Sequence, residues 1–371
     1  MKNQENQAAA GTEFQAGGMS TNRNPGVAVK TAIYIVALLL AGAFLAPPAH
    51  ALTCNTVVTT NTTLTADLIC NNTWGIEINA NNVTVDLNGH TISCVSDTGY
   101  LGSCQPTSDQ VSTATGIATN SQSTGYHNVV IRGPGVITGF AFGISVAGTG
   151  IRVEGVTITG PSAPKTEEFS NHRGEAVGIY VFSSQCNLAS VGGGGGVTLL
   201  YNEIFNQGEG VDLSGSCALI GANFIHDNGE FYGGWGIQVF GDPINPSRNN
   251  IIYDNTIVRN GVNYPTVNTL TIPNAGVIFG GGDKSTVIFS NNISGNCGYG
   301  IFMQGAADNS LITENVVVNN GTSSYGGQCY PASTGKYFDL AEYNAGGASG
   351  NIWSPNTCKT ESAGIPPGIC M

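Results

Sequence analysis

The sequence predicts an all-β solenoid of about eight to nine short coils, and three observations predict it. A Gly followed by a branched apolar residue recurs at Gly75-Ile76, Gly116-Ile117, Gly143-Ile144, Gly178-Ile179, Gly210-Val211, Gly236-Ile237, Gly276-Val277 and Gly300-Ile301, at intervals of 24 to 41 residues. An Asn follows a short apolar run in successive units, at Asn202, Asn223, Asn255, Asn291 and Asn315. Charged residues make up only 10% of the chain while 41% are hydrophobic, which argues for repetitive β structure over disorder. Units that repeat in this way touch only their neighbours, the signature of a stacked array.

The first 51 residues read as a leader and signal peptide. Arg23 and Lys30 flank an apolar run, Thr31 to Ala46, which Pro47 and Pro48 break. Ala49-His50-Ala51 supplies the small residues of a cleavage site. The run is shorter than the ~20 residues a membrane span needs. The expectation is therefore export, to the periplasm or the medium, with no stable membrane span after cleavage. Met1 and Met19 are both possible starts.

Residues 52–74, rich in Thr and Asn, are expected to cap the solenoid, because an exposed strand edge invites aggregation. Coils are expected over 75–343. Each has room for the Gly-opened strand, a second apolar strand such as Ile251 to Tyr253, and a third after the Asn corner such as Thr256-Ile257. Such strands are too short for an independent sheet. Stacked coils would pair each with its copies above and below at about 4.8 Å. Asn suits the corner because it tolerates a left-handed backbone and because stacked amides can bond up a ladder. Gly133 and Gly155 are expected to take that corner in early coils for their tolerance of positive φ. Residues 344–371 are expected to form the other cap.

All ten Cys follow Ala51. In an exported chain an even count reads as disulfides. A solenoid brings adjacent coils together, so the simplest pairing is between neighbours: Cys54 with Cys70, Cys94 with Cys104, Cys186 with Cys217, Cys297 with Cys329 and Cys358 with Cys370. Metal binding is the rival reading, but there is no CxxC and no Cys beside a His.

After Ala51 the chain keeps nine Lys or Arg against 22 Asp or Glu. That balance repels phosphate backbones and excludes nucleic acid as the expected partner. An acidic polysaccharide would need a local basic patch or a cation, calcium being possible.

The coil residues resemble the right-handed parallel β-helix of the pectate-lyase-like superfamily. Asp86-Leu87-Asn88-Gly89-His90-Thr91-Ile92 in particular is similar to the repeats of the periplasmic NosD-type copper-processing factor. The resemblance covers about Gly75 to Ile352 and implies a single-stranded β-helix. It also implies a groove, along the first-strand face, in which related enzymes bind polysaccharide. His90 reads as a turn residue.

Long insertions border the first strands, so chemistry is expected there. Alternation turns Glu77, Ala118, Ser145, Tyr180, Asp212, Gln238, Ile278, Phe302 and Asp339 outward. The middle of that column is polar. The insertion Lys165 to Glu175 brings His172, Arg173 and Glu175 beside it, and Glu209, Asp227, Glu230, Tyr232 and Trp235 are expected on the far side. Glycosyl hydrolysis needs two carboxylates, which Asp212 could share with Glu209, Asp227 or Glu230. β-Elimination needs a base and a cation, which His172, Lys165 or Arg173 could provide facing Asp212 and Glu175. Tyr180, Gln238, Tyr232, Trp235, Glu175 and Lys165 would contact sugar. The expected catalytic set is Asp212, His172, Arg173 and Glu230. Polygalacturonase, pectate-lyase and alginate-epimerase motifs are absent, as are nucleophile-elbow and phosphate-loop patterns. Gly192 to Gly196 lacks the Lys and Ser/Thr of a phosphate loop and reads as a turn. The expected function is a polysaccharide-binding protein, as lyase or glycoside hydrolase. The alternatives are a non-catalytic glycan- or protein-binding module and an accessory factor in metal-enzyme maturation.

Overall fold

In the computed structural model the chain divides into two units, 1–50 and 51–371. The residues it describes all fall in the second: 52–71, 73–95, 115–119, 126–160, 176–184, 186, 196–229, 234–241, 246–261, 274–305, 307–321, 337–343 and 350–371. The expected leader and signal peptide lie outside them. So do Lys165, His172, Arg173, Glu175, Glu230, Tyr232, Cys104 and Cys329.

Each turn of chain contributes one short strand to each of three parallel sheets. In the third-from-last full coil, for example, Ala275–Gly281 joins the first sheet, Val287–Phe289 the second and Asn292–Ser294 the third. In this coil, pairing is in register with its neighbours, so side chains sit above their counterparts; the first sheet shifts register after Val146. The stretch expected as the N-terminal cap is itself built as a coil. Thr56–Val58, Thr62–Thr63 and Leu68–Asn71 pair with the coil that follows. At the other end Ile352–Trp353 and Thr357–Cys358 close the second and third sheets.

Inward columns make the core. Ile117, Ile144, Ile179, Val211, Ile237, Val277 and Ile301 stack on the first sheet, and Ile137, Ile158, Ile204, Ile225, Ile257 and Ile293 on the third, all fully buried. β-Branched side chains suit this pleated stacking. The opening glycines sit where these columns meet. A Cβ at Gly210 would run into the Ile225 side chain and the Gly236 carbonyl, so the Gly in each opening marks a close approach.

The Asn corner is a hydrogen-bonded ladder. Asn202, Asn223, Asn255, Asn291, Asn315 and Asn356 are buried one above another. The amide N–H and Nδ2 of each donate to Oδ1 of the next at 2.9–3.0 Å. The left-handed residues are the ones before them. Tyr201, Ala222, Asp254, Ser290 and Glu314 have φ between 51° and 57°. The Asn column therefore exists for its amides and its conformational tolerance is not used. Gly155 does take the left-handed position, with φ 64°. Gly133 does not; it is a Gly because a Cβ there would strike the Gly155 carbonyl.

A second ladder runs through Asn228, Asn260, Asn296 and Asn320 and ends on Asp339. Asp339 was expected to face outward. It is buried, because a carboxylate, which only accepts, terminates a chain of donors. It accepts from Asn320 N and Nδ2 and from the backbone N–H groups of Lys359 and Thr360. Its place in the outward column falls to Ala341, which pairs with Phe302.

Disulfides join Cys54 to Cys70, Cys186 to Cys217 and Cys358 to Cys370, with Cα–Cα distances of 4.7–5.5 Å. Cys94 and Cys297 are also disulfide-bonded, to partners outside the described residues. His90 follows the left-handed Asn88-Gly89 turn, and its Nδ1 lies 3.2 Å from Asp67 Oδ1, as a turn residue should.

Candidate functional site

The outward column of the first sheet is continuous. Glu77, Ala118, Ser145, Tyr180, Asp212, Gln238, Ile278 and Phe302 are register partners in succession. Its exposure is uneven. Ser145 is buried, and Ile278, Phe302 and Ala341 are almost fully covered. Tyr180, Asp212 and Gln238 are half-buried and form the accessible polar stretch between them.

A second column runs beside the first. Phe142 pairs with Val177, Val177 with Glu209, and Trp235 with Ala275 and then Tyr299. Glu209 is 1% exposed and sits on the same strand as Asp212, Glu209–Leu213. One oxygen of each carboxylate is shut off from solvent. The Tyr180 ring packs on Phe142 at 5.6 Å, part of a small apolar cluster with Ala141 and Val177. The structure thus brings Tyr180, Asp212, Gln238 and Glu209 to one place.

Trp235 is on the same face but is only 5% exposed. It belongs to an apolar cluster outside the coil with Ala275, Ile278, Tyr299, Phe302 and Ala341. Tyr299 stacks on Phe302 at 4.5 Å, with Tyr337 and Tyr343 edge-on. This cluster walls the C-terminal end of the polar stretch. Alternation alone exposes Ile278 and Phe302; only the neighbouring column of large aromatics signals that they would be covered.

Asp227, a candidate partner for Asp212, is committed elsewhere. Arg259 binds it through two nitrogens at 2.8 and 2.6 Å, and His226 Nδ1 lies 2.7 Å from its Oδ2. Burial pushes its carboxyl up, but the hydrogen bonds from Arg259 and His226 outweigh this and hold it below the ordinary range. His226 lies between Phe205 and Phe224 on the outside of the third sheet, with Glu203 3.5 Å from its Nε2.

Another titratable group stands apart. Asp283 is fully buried in the turn leading to the second sheet, and burial drives its carboxyl up to about 9. Ser247 and the backbone at Gly280 offset only part of that. Among the described residues no group of three or more His, Cys, Asp or Glu is arranged to hold a metal ion. None of their helices is long and apolar enough to cross a membrane.

Three parallel sheets wound from one chain define the class of protein. A family model described as the right-handed beta helix region matches residues 142–341, and the chain belongs to that family. No curated protein sequence matches it. Among solved structures it is similar to the Dettilon tailspike protein, at 15% identity and a TM-score of 0.47, over 84% of this chain and 58% of that one. It is also similar to the periplasmic alginate epimerase AlgG, at 11% identity and a TM-score of 0.44, over 84% of this chain and 75% of that one. A third is the GH136 lacto-N-biosidase from Eubacterium ramulus, at 10% identity and a TM-score of 0.38, over 84% and 61%. The chain thus spans well under two thirds of the tailspike's length. At these identities the likeness is one of fold.

Proposed function

We propose that this is an exported glycan-binding protein whose binding face is the outward side of the first sheet at Tyr180, Asp212 and Gln238. One observation carries the reading. Three consecutive coils present an aromatic phenol, a carboxylate and an amide in register and accessible, between buried Ser145 on one side and an apolar cluster on the other. Repetition at about 4.8 Å per coil matches a ligand that is itself an extended polymer. A ring beside hydrogen-bonding groups is the chemistry that sugars require, apolar on one side and polar at the rim. The disulfides agree with an oxidising compartment outside the cytoplasm.

Cleavage is the catalytic form of this proposal. Asp212 and Glu209 are the two carboxylates the face offers among the described residues at this level. A buried carboxyl beside a partly solvated one is the pairing from which acid and base roles can separate. The test is turnover on a panel of acidic and neutral polysaccharides, read both as new reducing ends and as unsaturated uronate absorbance. Asp212→Asn and Glu209→Gln should each abolish it while leaving the unfolding midpoint in place. Binding without turnover in the unaltered protein would leave a non-catalytic glycan module. Neither binding nor turnover on any polymer would refute the reading.

A further inference from the structure

The outer face of the second sheet changes character along the solenoid. In the early coils it is charged: Asp86 pairs with Arg132 at 2.7 Å, and Arg152 with Glu154 at 2.5 Å. From the middle coils onward the charges stop. Leu219, Ile251, Val287, Leu311 and Ile352 form one outward column in register, five aliphatic side chains without a polar interruption. Ile251 and Ile352 are 38% and 62% exposed. Beside them Tyr253 stacks on Phe289 at 5.6 Å. Scattered surface apolar residues need no explanation, whereas a contiguous strip rimmed by charge marks an interaction surface.

The rims differ in sign. Arg248, Lys284 and Asp308 stack along the edge that enters the sheet, joined by parallel bridges. Lys284 and Asp308 neutralise each other at 3.5 Å, leaving Arg248 exposed and without an ion pair among the described residues. Along the edge that leaves the sheet, Asp254 and Glu314 are exposed and likewise make no ion pair there. One edge therefore keeps a single net positive charge, at Arg248, and the other is acidic.

We infer that this face docks a second copy of the chain, in a two-fold dimer whose axis runs parallel to the solenoid axis. The geometry selects that arrangement. Rotation about an axis parallel to the solenoid axis keeps each coil level with itself and exchanges left for right. Arg248 of one copy then lies opposite Asp254 of the other, twice, while Glu314 falls opposite Asp308, whose charge Lys284 already offsets. A two-fold axis perpendicular to the solenoid axis would instead set each edge on its own copy, bringing Asp254 and Glu314 together with no counter-charge. Five coils at about 4.8 Å and seven residues from rim to rim give a face of about 25 by 20 Å, on the order of 1,000 Å² buried in total, near the lower bound for a specific interface. The dimer is thus concentration-dependent, and it does not draw on the proposed glycan face.

Sedimentation equilibrium of the purified full chain, from submicromolar to hundreds of micromolar protein, tests this. The expected result is a monomer–dimer equilibrium. Ile251→Glu, which would bury an unpaired charge twice per dimer, should raise the dissociation constant about 100-fold or more. Arg248→Asp and Asp254→Arg should each weaken association about tenfold, and the double reversal should restore it. Unchanged thermal unfolding of each variant at low protein concentration confirms that the fold is retained, since all three side chains point outward. A monomer at every concentration overturns the inference, as does a dimer indifferent to Ile251→Glu. A dimer that Arg248→Asp tightens overturns the parallel axis.

Discussion

Removing the amide of Asn255 should cost about 3 kcal/mol, and the structure shows how. Asn255 is 1% exposed and stands in the middle of the first ladder. Its Oδ1 accepts from Asn223 N at 3.0 Å and Asn223 Nδ2 at 2.9 Å. Its Nδ2 donates to the Ile220 carbonyl and to Asn291 Oδ1, both at 2.9 Å. In Asn255→Ala the Asn223 side chain keeps its bond to the Leu199 carbonyl, but the Asn223 backbone N–H loses its partner. One buried orphan donor costs ~1–3 kcal/mol, and the weakened neighbours and small void add about 1 more. Asn255→Asp should be worse at neutral pH. A carboxylate would face Asn291 Oδ1 with no proton between them, and acidification should recover part of the loss. Asn292→Ala, an exposed outward change on the third sheet, should stay within about 0.5 kcal/mol. The assay is urea unfolding followed by circular dichroism, comparing midpoints at constant slope. A loss below about 1 kcal/mol for Asn255→Ala, or equal losses for Asn255 and Asn292, would refute the ladder as a source of stability.

Two further predictions concern pH. Asp283 holds its proton to about pH 9 when folded, against about 3.9 when unfolded. Between those values the folded state binds more protons, so stability falls as pH rises through this window, by at most about 1.4 kcal/mol per unit. Asp283→Asn should flatten that slope and stabilise the protein at pH 8 relative to the parent; an unchanged slope would contradict the burial. Asp227 behaves oppositely, since its folded carboxyl is held below the ordinary range. Its stabilisation is present above the unfolded value and lost as pH falls through the folded one. Arg259→Ala should cost about 1 kcal/mol at pH 7, discounted for a pair that is about a third exposed, and little once Asp227 is protonated in strong acid. Equal costs at both pH values would mean that the Arg259 stem, not its charge, matters.

The coils were legible because period and chemistry coincide. Glycine openings, branched residues and corner Asn each have one place in a stacked coil, and the outward column from Glu77 to Phe302 followed from alternation. Asp339 misled because its segment looks like another opening while its carboxylate serves as the end of an amide ladder, a role visible only once Asn320 is seen to need an acceptor. Asp227 misled because sequence proximity to Glu230 says nothing of Arg259, a coil away. Trp235 was legible as belonging to the first-sheet face but not as buried, since its cover comes from Tyr299 and Phe302 in later coils. Long-range packing outside the coil carries no short period, and that is where sequence patterns stop.

The central claim is that a glycan binds across Tyr180, Asp212 and Gln238. Isothermal titration of the protein with a panel of defined oligosaccharides tests it most directly, with Tyr180→Ala and Gln238→Ala alongside. The account predicts saturable binding to at least one extended oligosaccharide, weakened about tenfold or more in each variant at unchanged stability. Binding that both substitutions leave intact would place the glycan elsewhere and contradict the account.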